Sequence, residues 1–339
     1  MLKKILKILI GLALVSIVLL FVALLAWQNM NLAVGEPGVT KSFVISKGSS
    51  GGQVAAKLEK DGLIKSAFFF KAYLRLTNKG GKILPGSYSV QTGLTTAQIA
   101  EILLSGPKDI WVLVPEGLRV EEVADRVAQG LGLRGLEKND FIEAFLEEAI
   151  DKEGFLFPDT YLFPKDIKAE AVVRKMQQVF DSQTTFLDEE LAANATSGLS
   201  KKEVVTLASI VEREARKDSD RPIVAGILLN RLDIGMGLQA DATVQYAVAN
   251  EACKIAVLSC KDWWPVVSGG DLKIDSPFNT YKYQGLPPSP ISNPGITALR
   301  AVVYPSLSDS LYYLHDKSGN MHTAKTFEEH TKNISQFLR

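Results

Sequence analysis

The chain opens with an apolar run. From Ile8 to Trp27 about twenty residues pass without a charge, enough to cross a bilayer as one helix. Lys3, Lys4 and Lys7 precede the run, so a helix there would keep its N-terminus in the cytoplasm and export the remainder of the chain. A retained anchor (residues 1–30) is the expectation. The rival is a cleaved signal peptide, although the run is long for one and no clean A-x-A site closes it. Trp27 suits the outer interface. Between residues 41 and 130 a second pattern recurs, in "ISKGSSGGQVAAKLEKDGLI", "VQTGLTTAQIAEILLSG" and "VPEGLRVEEVADRVAQGLGL". Aligned on Gly48, Gly93 and Gly117, each copy has an apolar residue six positions on (Val54, Ile99, Val123). An alanine follows (Ala55, Ala100, Ala124), and three residues later comes Leu58, Leu103 or Val127. Each copy predicts a strand end, a glycine turn and a short amphipathic helix.

Beyond residue 136 the period is mainly helical. "NDFIEAFLEEAID" and "AEAVVRKMQQVFDSQ" predict helices, separated by "EGFLFPDTYLFP". In "LSKKEVVTLASIVEREA", Ser200 followed by Glu203 is a capping box that starts a helix. "RPIVAGILLNRL" predicts another, with Pro222 tolerated in its first turn. "GMGLQADATVQYA" begins as a loop, and residues 262–296, rich in Pro, Gly, Ser and Asn, form a long irregular segment. "LYYLHDKSGNMHTAKT" reads as a hairpin turning at Ser318-Gly319-Asn320, followed by a last helix, "FEEHTKNISQFL".

Charge narrows the partners. Lys plus Arg and Asp plus Glu stand at 38 each, so no basic excess points to nucleic acid. A neutral or mixed partner, such as polysaccharide, fits. Cys253 and Cys260 are the only cysteines. In an oxidising compartment a pair this close reads as a local disulfide, with two free buried thiols as the alternative. Two sulfurs and three scattered histidines make no metal pattern.

The chemistry centres on one carboxylate. On the helix after Ser200, Val204, Val205, Ala208, Val211 and Ala215 share a face, and Glu212 falls inside its edge. Glu203, Thr206, Arg213 and Glu214 fall mostly outside it, with Glu214 on the wetter side. Buried carboxylates are rare unless paired. Glu212 is therefore paired with Arg213, Arg216 or a more distant arginine, or it lines a cleft, or it is protonated. The last two suit an acid catalyst, because apolar burial raises a carboxyl pKa. Phe155, Phe157, Tyr161 and Phe163 around Asp159 read either as a sugar-binding wall or as plain core. Gln239, Asp241, Thr243 and Gln245, with Asn279, Thr280 and Tyr281, offer hydrogen-bonding groups that read either as a groove or as ordinary turn chemistry. No G-x-S-x-G elbow supports a serine hydrolase. His315 and His330 read as structural, and His322 stays open.

The glycine–helix units resemble LysM-like glycan-binding modules; a simple spacer is the alternative. Taken in order, "EGFLFPDTY", "LASIVERE", "ILLNRL", "GMGLQADATVQYA", "NTYKYQGLPPSPISNPG" and the His322/His330 pair resemble the YceG-like family over nearly the whole chain. The resemblance implies an α+β fold with an N-terminal transmembrane helix, a LysM-like region at 41–135 and a catalytic domain at 136–339. Glu212 matches the family's catalytic glutamate. It implies lytic cleavage of peptidoglycan between N-acetylmuramic acid and N-acetylglucosamine, leaving a 1,6-anhydro end, without a cofactor. It places the protein at the inner (plasma) membrane, acting outside the cytoplasm on nascent strands beside peptidoglycan synthases (penicillin-binding proteins). Asp159, Gln239, Asp241, Asn279 and Tyr281 are expected to position the sugar. The rivals are a muramidase using Asp159 or Asp241 opposite Glu212, and a non-catalytic glycan-binding scaffold.

Overall fold

The structure, a computed structural model, describes residues 11, 13–18, 20, 21, 24, 27, 28, 31–77, 83–193, 198–253, 258, 260 and 262–338. Much of the expected anchor, Ile8–Trp27, lies outside these residues; its described positions are helical. Among the described residues no helix is long and apolar enough to cross a membrane. The chain divides into two compact units, 1–111 with 162–166, and 112–161 with 167–339.

In the first unit the glycine pattern folds as expected. Strand β1 (Thr40–Ile45) leads through Gly48 into helix α1 (Gly51–Lys60), and helix α2 (Ala67–Leu76) follows. Strand β2 (Gly86–Gln91) leads through Gly93 into helix α3 (Thr96–Leu104). Ser50 with Gln53 and Thr95 with Gln98 form capping boxes that tie off the first N–H groups of α1 and α3. Gly48 and Gly93 have φ of +84° and +80°, a region where a Cβ is penalised, so glycine makes each turn. Strands β1 and β2 pair antiparallel from Thr40↔Gln91 to Ile45↔Gly86. Strands β3 (Asp109–Leu113) and β4 (Thr160–Pro164) complete the sheet order β1-β2-β3-β4. Val54, Ala55, Leu58, Ile99, Ala100 and Leu103, the repeated apolar positions, pack with Phe43, Phe70, Tyr88 and Val90 in one core.

The third glycine turn, at Gly117, and its helix α4 (Val120–Gly130) belong to the second unit, where α4 packs on α5 (Gly135–Glu148). Helices α6 (Ala169–Gln183), α7 (Thr185–Ala192), α8 (Lys201–Glu214), α9 (Arg221–Asp233), α10 (Asp241–Cys253) and α11 (Ile296–Val303) follow. The pattern assigns no helix to 67–76, 185–192 or 296–303. The chain is helical at all three.

Helix α8 is the centre of this unit. Its N-cap is Ser200, in a capping box with Glu203. Every residue from Val204 to Val211 is buried, so the single face expected from the sequence is a helix enclosed on all sides, by α7, α9, α10 and α11. Its two interior hydroxyls are satisfied locally, Thr206 donating to the Lys202 carbonyl (2.8 Å) and Ser209 to that of Thr206 (2.7 Å). The unit ends as expected in a hairpin, β5 (Tyr312–His315) and β6 (Met321–Ala324), and helix α12 (Phe327–Phe337), capped by Thr326. Cys253 and Cys260 form a disulfide, with Cα atoms 5.4 Å apart.

Candidate active site

Glu212 lies on the last turn of α8 with its side chain only 6% exposed. One oxygen accepts from Arg221 Nη2 at 2.7 Å, and the other from the backbone N–H of Gly295 at 3.0 Å. Of the states open from sequence, pairing with a distant arginine is the one observed. Arg221 opens α9, is itself buried, and also reaches the carboxylates of Asp218 and, at 3.5 Å, Glu116. The Nε of Arg221 is buried and has no hydrogen-bond partner among the described residues.

Two loops close on this pair. The turn Pro115-Glu116-Gly117-Leu118 is bonded to the Ser292-Asn293-Pro294-Gly295 loop. Gly117 N–H donates to the Asn293 carbonyl and Asn293 N–H to that of Leu118, both at 2.8 Å. The Asn293 side chain donates to the Leu118 carbonyl and to Glu153, and accepts from Leu156 N–H. The same loop is held to α8 through Ser209, whose hydroxyl accepts from Ile291 N–H (3.0 Å) and whose carbonyl accepts from Ser292 (3.2 Å). Gly295 has an ordinary φ of −78°, but a Cβ there would lie 1.8 Å from Glu116 Oε1; its glycine makes room for a carboxylate. Burial raises the Glu116 pKa, the Glu212 charge adds to this, and Arg221 opposes both.

The flank is aromatic and charged. The Arg213 guanidinium lies 3.7 Å over the Trp264 ring, whose N–H donates to Glu122 (2.9 Å). Arg119, fully buried, stacks on Tyr246 and Trp263 and pairs with Glu121 and Asn250. A cleft of about 430 Å³ is lined by Pro115 and Leu118, which bracket Glu116-Gly117, and by Glu121, Glu122 and Trp263.

The expected positioning residues divide. Asp241 begins α10 and accepts from the Tyr281 hydroxyl at 2.7 Å; Tyr281 is partly exposed. Gln239 is exposed, holds an unusual φ of +47°, and donates its N–H to the Thr280 carbonyl (3.1 Å). Glu214 stands beside this group. It is not on the wetter side, because the start of α10 and strand β5 cover it: the Ala242 N–H and the Tyr313 hydroxyl (2.9 Å) both donate to it, and burial raises its pKa. Asn279 lies away from this surface group. It is fully buried, and its amide is spent on the Leu272 and Ile274 carbonyls and on Tyr281 N–H, so it holds the loop's shape. Asp159 is exposed and accepts from its neighbour's Thr160 N–H. Phe157, Tyr161 and Phe163 are buried, which makes that aromatic run core rather than a sugar-facing wall.

The histidines sit in the terminal packing. His315 meets Asp220 (3.2 Å), His322 meets Asp316 and stacks on Phe337, and His330 stacks on Tyr312. Among the described residues no group of three His, Cys, Asp or Glu could hold a metal ion. Reading the sequence missed Glu116, Arg221, Asn293 and Gly295. The local signals are Gly117, whose turn presents Glu116, and the stretch ending in Asn293-Pro294-Gly295.

The sequence profile of the YceG-like family matches residues 43–336. A Bacillus subtilis protein named endolytic murein transglycosylase is 30% identical over 322 residues, 88% of this chain and 85% of that protein. A Streptococcus pneumoniae protein of the same name is 27% identical over 328 residues; the chain spans 58% of its length. A crystal structure of a yceG-like protein from Listeria monocytogenes matches with a TM-score of 0.55 at 30% identity, over 87% of this chain and 99% of that one.

Proposed function

Since the chain belongs to the YceG-like family, we propose that it is an endolytic peptidoglycan lytic transglycosylase, with Glu212 as its acid and base. The observation that carries this reading is the seat of Glu212. It is a nearly enclosed carboxylate held by Arg221 and Gly295 N–H where three segments meet. The relatives named endolytic murein transglycosylase support the reaction class.

In this mechanism protonated Glu212 gives its proton to the glycosidic oxygen between N-acetylmuramic acid and N-acetylglucosamine as the bond to the muramoyl C1 breaks. The muramoyl C6 hydroxyl attacks C1, its proton returns to Glu212, and a 1,6-anhydro end results. The nucleophile belongs to the substrate, so no second carboxylate is needed to activate water. Its effective concentration, on the order of 10⁵ M or more, favours it over water. Asp241, Tyr281 and Gln239 position the sugar, Asn279 shapes the loop that carries Tyr281, and Asp159 extends the groove. The glycine–helix units at Gly48 and Gly93, in the first unit, serve as a LysM-like region that holds the strand. Residues 1–30 anchor the chain in the plasma membrane with the N-terminus inside, beside the peptidoglycan synthases. In support, Leu14, Val15, Ile17, Val18, Leu20, Phe21 and Leu24 are all exposed, a stripe that lipid would cover.

Mass spectrometry of fragments released from purified peptidoglycan tests the proposal, using the full chain in detergent and its Glu212→Gln variant. Anhydro-ended fragments are expected from the wild type, with a loss of at least about 100-fold in the variant. Fragments one water heavier would identify a muramidase, and equal binding without cleavage by either protein a scaffold.

A further inference from the structure

The resting geometry leaves one step of this mechanism unaccounted for. A general acid must hold a proton, yet Glu212 is bonded on both oxygens to donors, and one of them is a guanidinium at 2.7 Å. Something has to draw Arg221 away. The only other carboxylates that Arg221 meets among the described residues are Asp218, which binds its opposite nitrogen, and Glu116, which faces the same Nη2 that holds Glu212. The distances from Nη2 to Glu212 and Glu116 are 2.7 and 3.5 Å, so a movement of less than an ångström exchanges the partners. Glu116 is also a built feature. It rides on a glycine turn bonded through Asn293, and it fills the space that Gly295 leaves by having no side chain.

We propose that Glu116 is a positioning residue for the reaction proposed above: it takes Arg221 from Glu212 when substrate enters, and so lets Glu212 hold the proton. The two carboxylates then share one guanidinium and one proton. As Nη2 moves to Glu116, a solvent proton occupies the vacated oxygen of Glu212. Glu212 passes that proton to the leaving oxygen and recovers one from the C6 hydroxyl, so nothing is consumed. A neighbouring negative charge favours the protonated form of a carboxyl group, and the effect is mutual. The raised pKa of Glu116, due first to burial and then to Glu212, agrees with this coupling. The other charged groups facing the pair are Asp218, before α9, and Arg213, on α8 next to Glu212.

The test is the pH profile of kcat on soluble glycan strands, which reports the complex with substrate. Glu116→Gln keeps the shape and removes the charge. The limb where activity falls with rising pH should move down by about one pH unit, with rates approaching wild type at lower pH. Glu116→Asp, which keeps the charge, should restore most of the limb. A loss equal at every pH, or an unmoved limb, would overturn the proposal. A second readout needs no activity. In protein labelled at glutamate carboxyl carbons, the titration midpoint of Glu116 should fall in Glu212→Gln, because its like-charged neighbour is gone and Arg221 is left to it. A fixed midpoint also overturns the coupling. Absence of anhydro ends from wild-type protein would instead overturn the reaction assignment, and the carboxyl titration would still decide the coupling.

Discussion

Arg221 and Glu212 pair with side chains only 9% and 6% exposed, so each offsets part of the cost of burying the other. Removing one partner of such a pair leaves an uncompensated buried ion, at about 3–5 kcal/mol. Arg221→Ala is therefore expected to lower unfolding free energy by about 3 kcal/mol in urea titration. Glu153 makes a prediction about pH. Burial, then the Glu121 charge, pushes its carboxyl from 4.5 up to about 8, against Arg119 and the Val120 and Gly154 N–H groups. Between those values the folded chain holds a proton that the unfolded chain has lost, so this group's contribution makes stability fall as pH rises from about 4.5 to about 8. Melting temperatures across that range should show the decline in wild type and a flatter course in Glu153→Gln. From sequence Glu212 could be picked out, because one charged residue in an apolar stripe is conspicuous. Glu153 and Glu116 could not, because each lies in a loop where a carboxylate is ordinary.

Helix α8 shows how much of an element its own residues specify. Ser200 and Glu203 begin it, and both act within one turn. That it is enclosed on every side depends on α7, α9, α10 and α11, which no period within α8 reports. The glycine–helix units were readable for the same local reason: the turn, the cap and the first buried residues lie within ten positions. Gly295 is the contrasting case. In the sequence it looks like turn punctuation before α11, yet its φ of −78° suits any residue, and what requires glycine is Glu116, far away in the chain. Gly295→Ala should accordingly keep its melting temperature within a few degrees while displacing Glu116. Its kcat/KM should fall by about as much as in Glu116→Gln, each variant being compared with wild type on the same strands.

For the whole molecule, the disulfide is the feature that ties fold to compartment. It joins the end of α10 to the segment leading into Trp263 and Trp264, which stack on Arg119 and Arg213. A loop this short is worth about 2 kcal/mol when closed. Cys253→Ser with Cys260→Ser should lose roughly that amount in urea unfolding, and dithiothreitol should lower the stability of wild type but not of the double variant. The division into two units was only partly readable. Residues 162–166 belong with the first unit, where Lys165 N–H bonds to the Lys108 carbonyl at 2.8 Å, although their neighbours on either side belong to the second. Such a return of the chain has no marker in composition or period.

The sequence by itself determined the repeated glycine turns and their helices, the start of α8, the terminal hairpin and helix, and which glutamate to suspect. Each rests on forces that act within a turn or two of chain, namely capping, side-chain period and the backbone freedom of glycine. Tertiary structure alone decided what holds that glutamate. Gly295 reaches it across 83 residues, and Asn293 reaches Leu118 across 175. It also decided that Asn279 turns inward while Asp241 and Tyr281 meet at the surface. Those outcomes depend on which segments the core brings together, and a hydrogen bond between distant loops leaves no periodic trace in either.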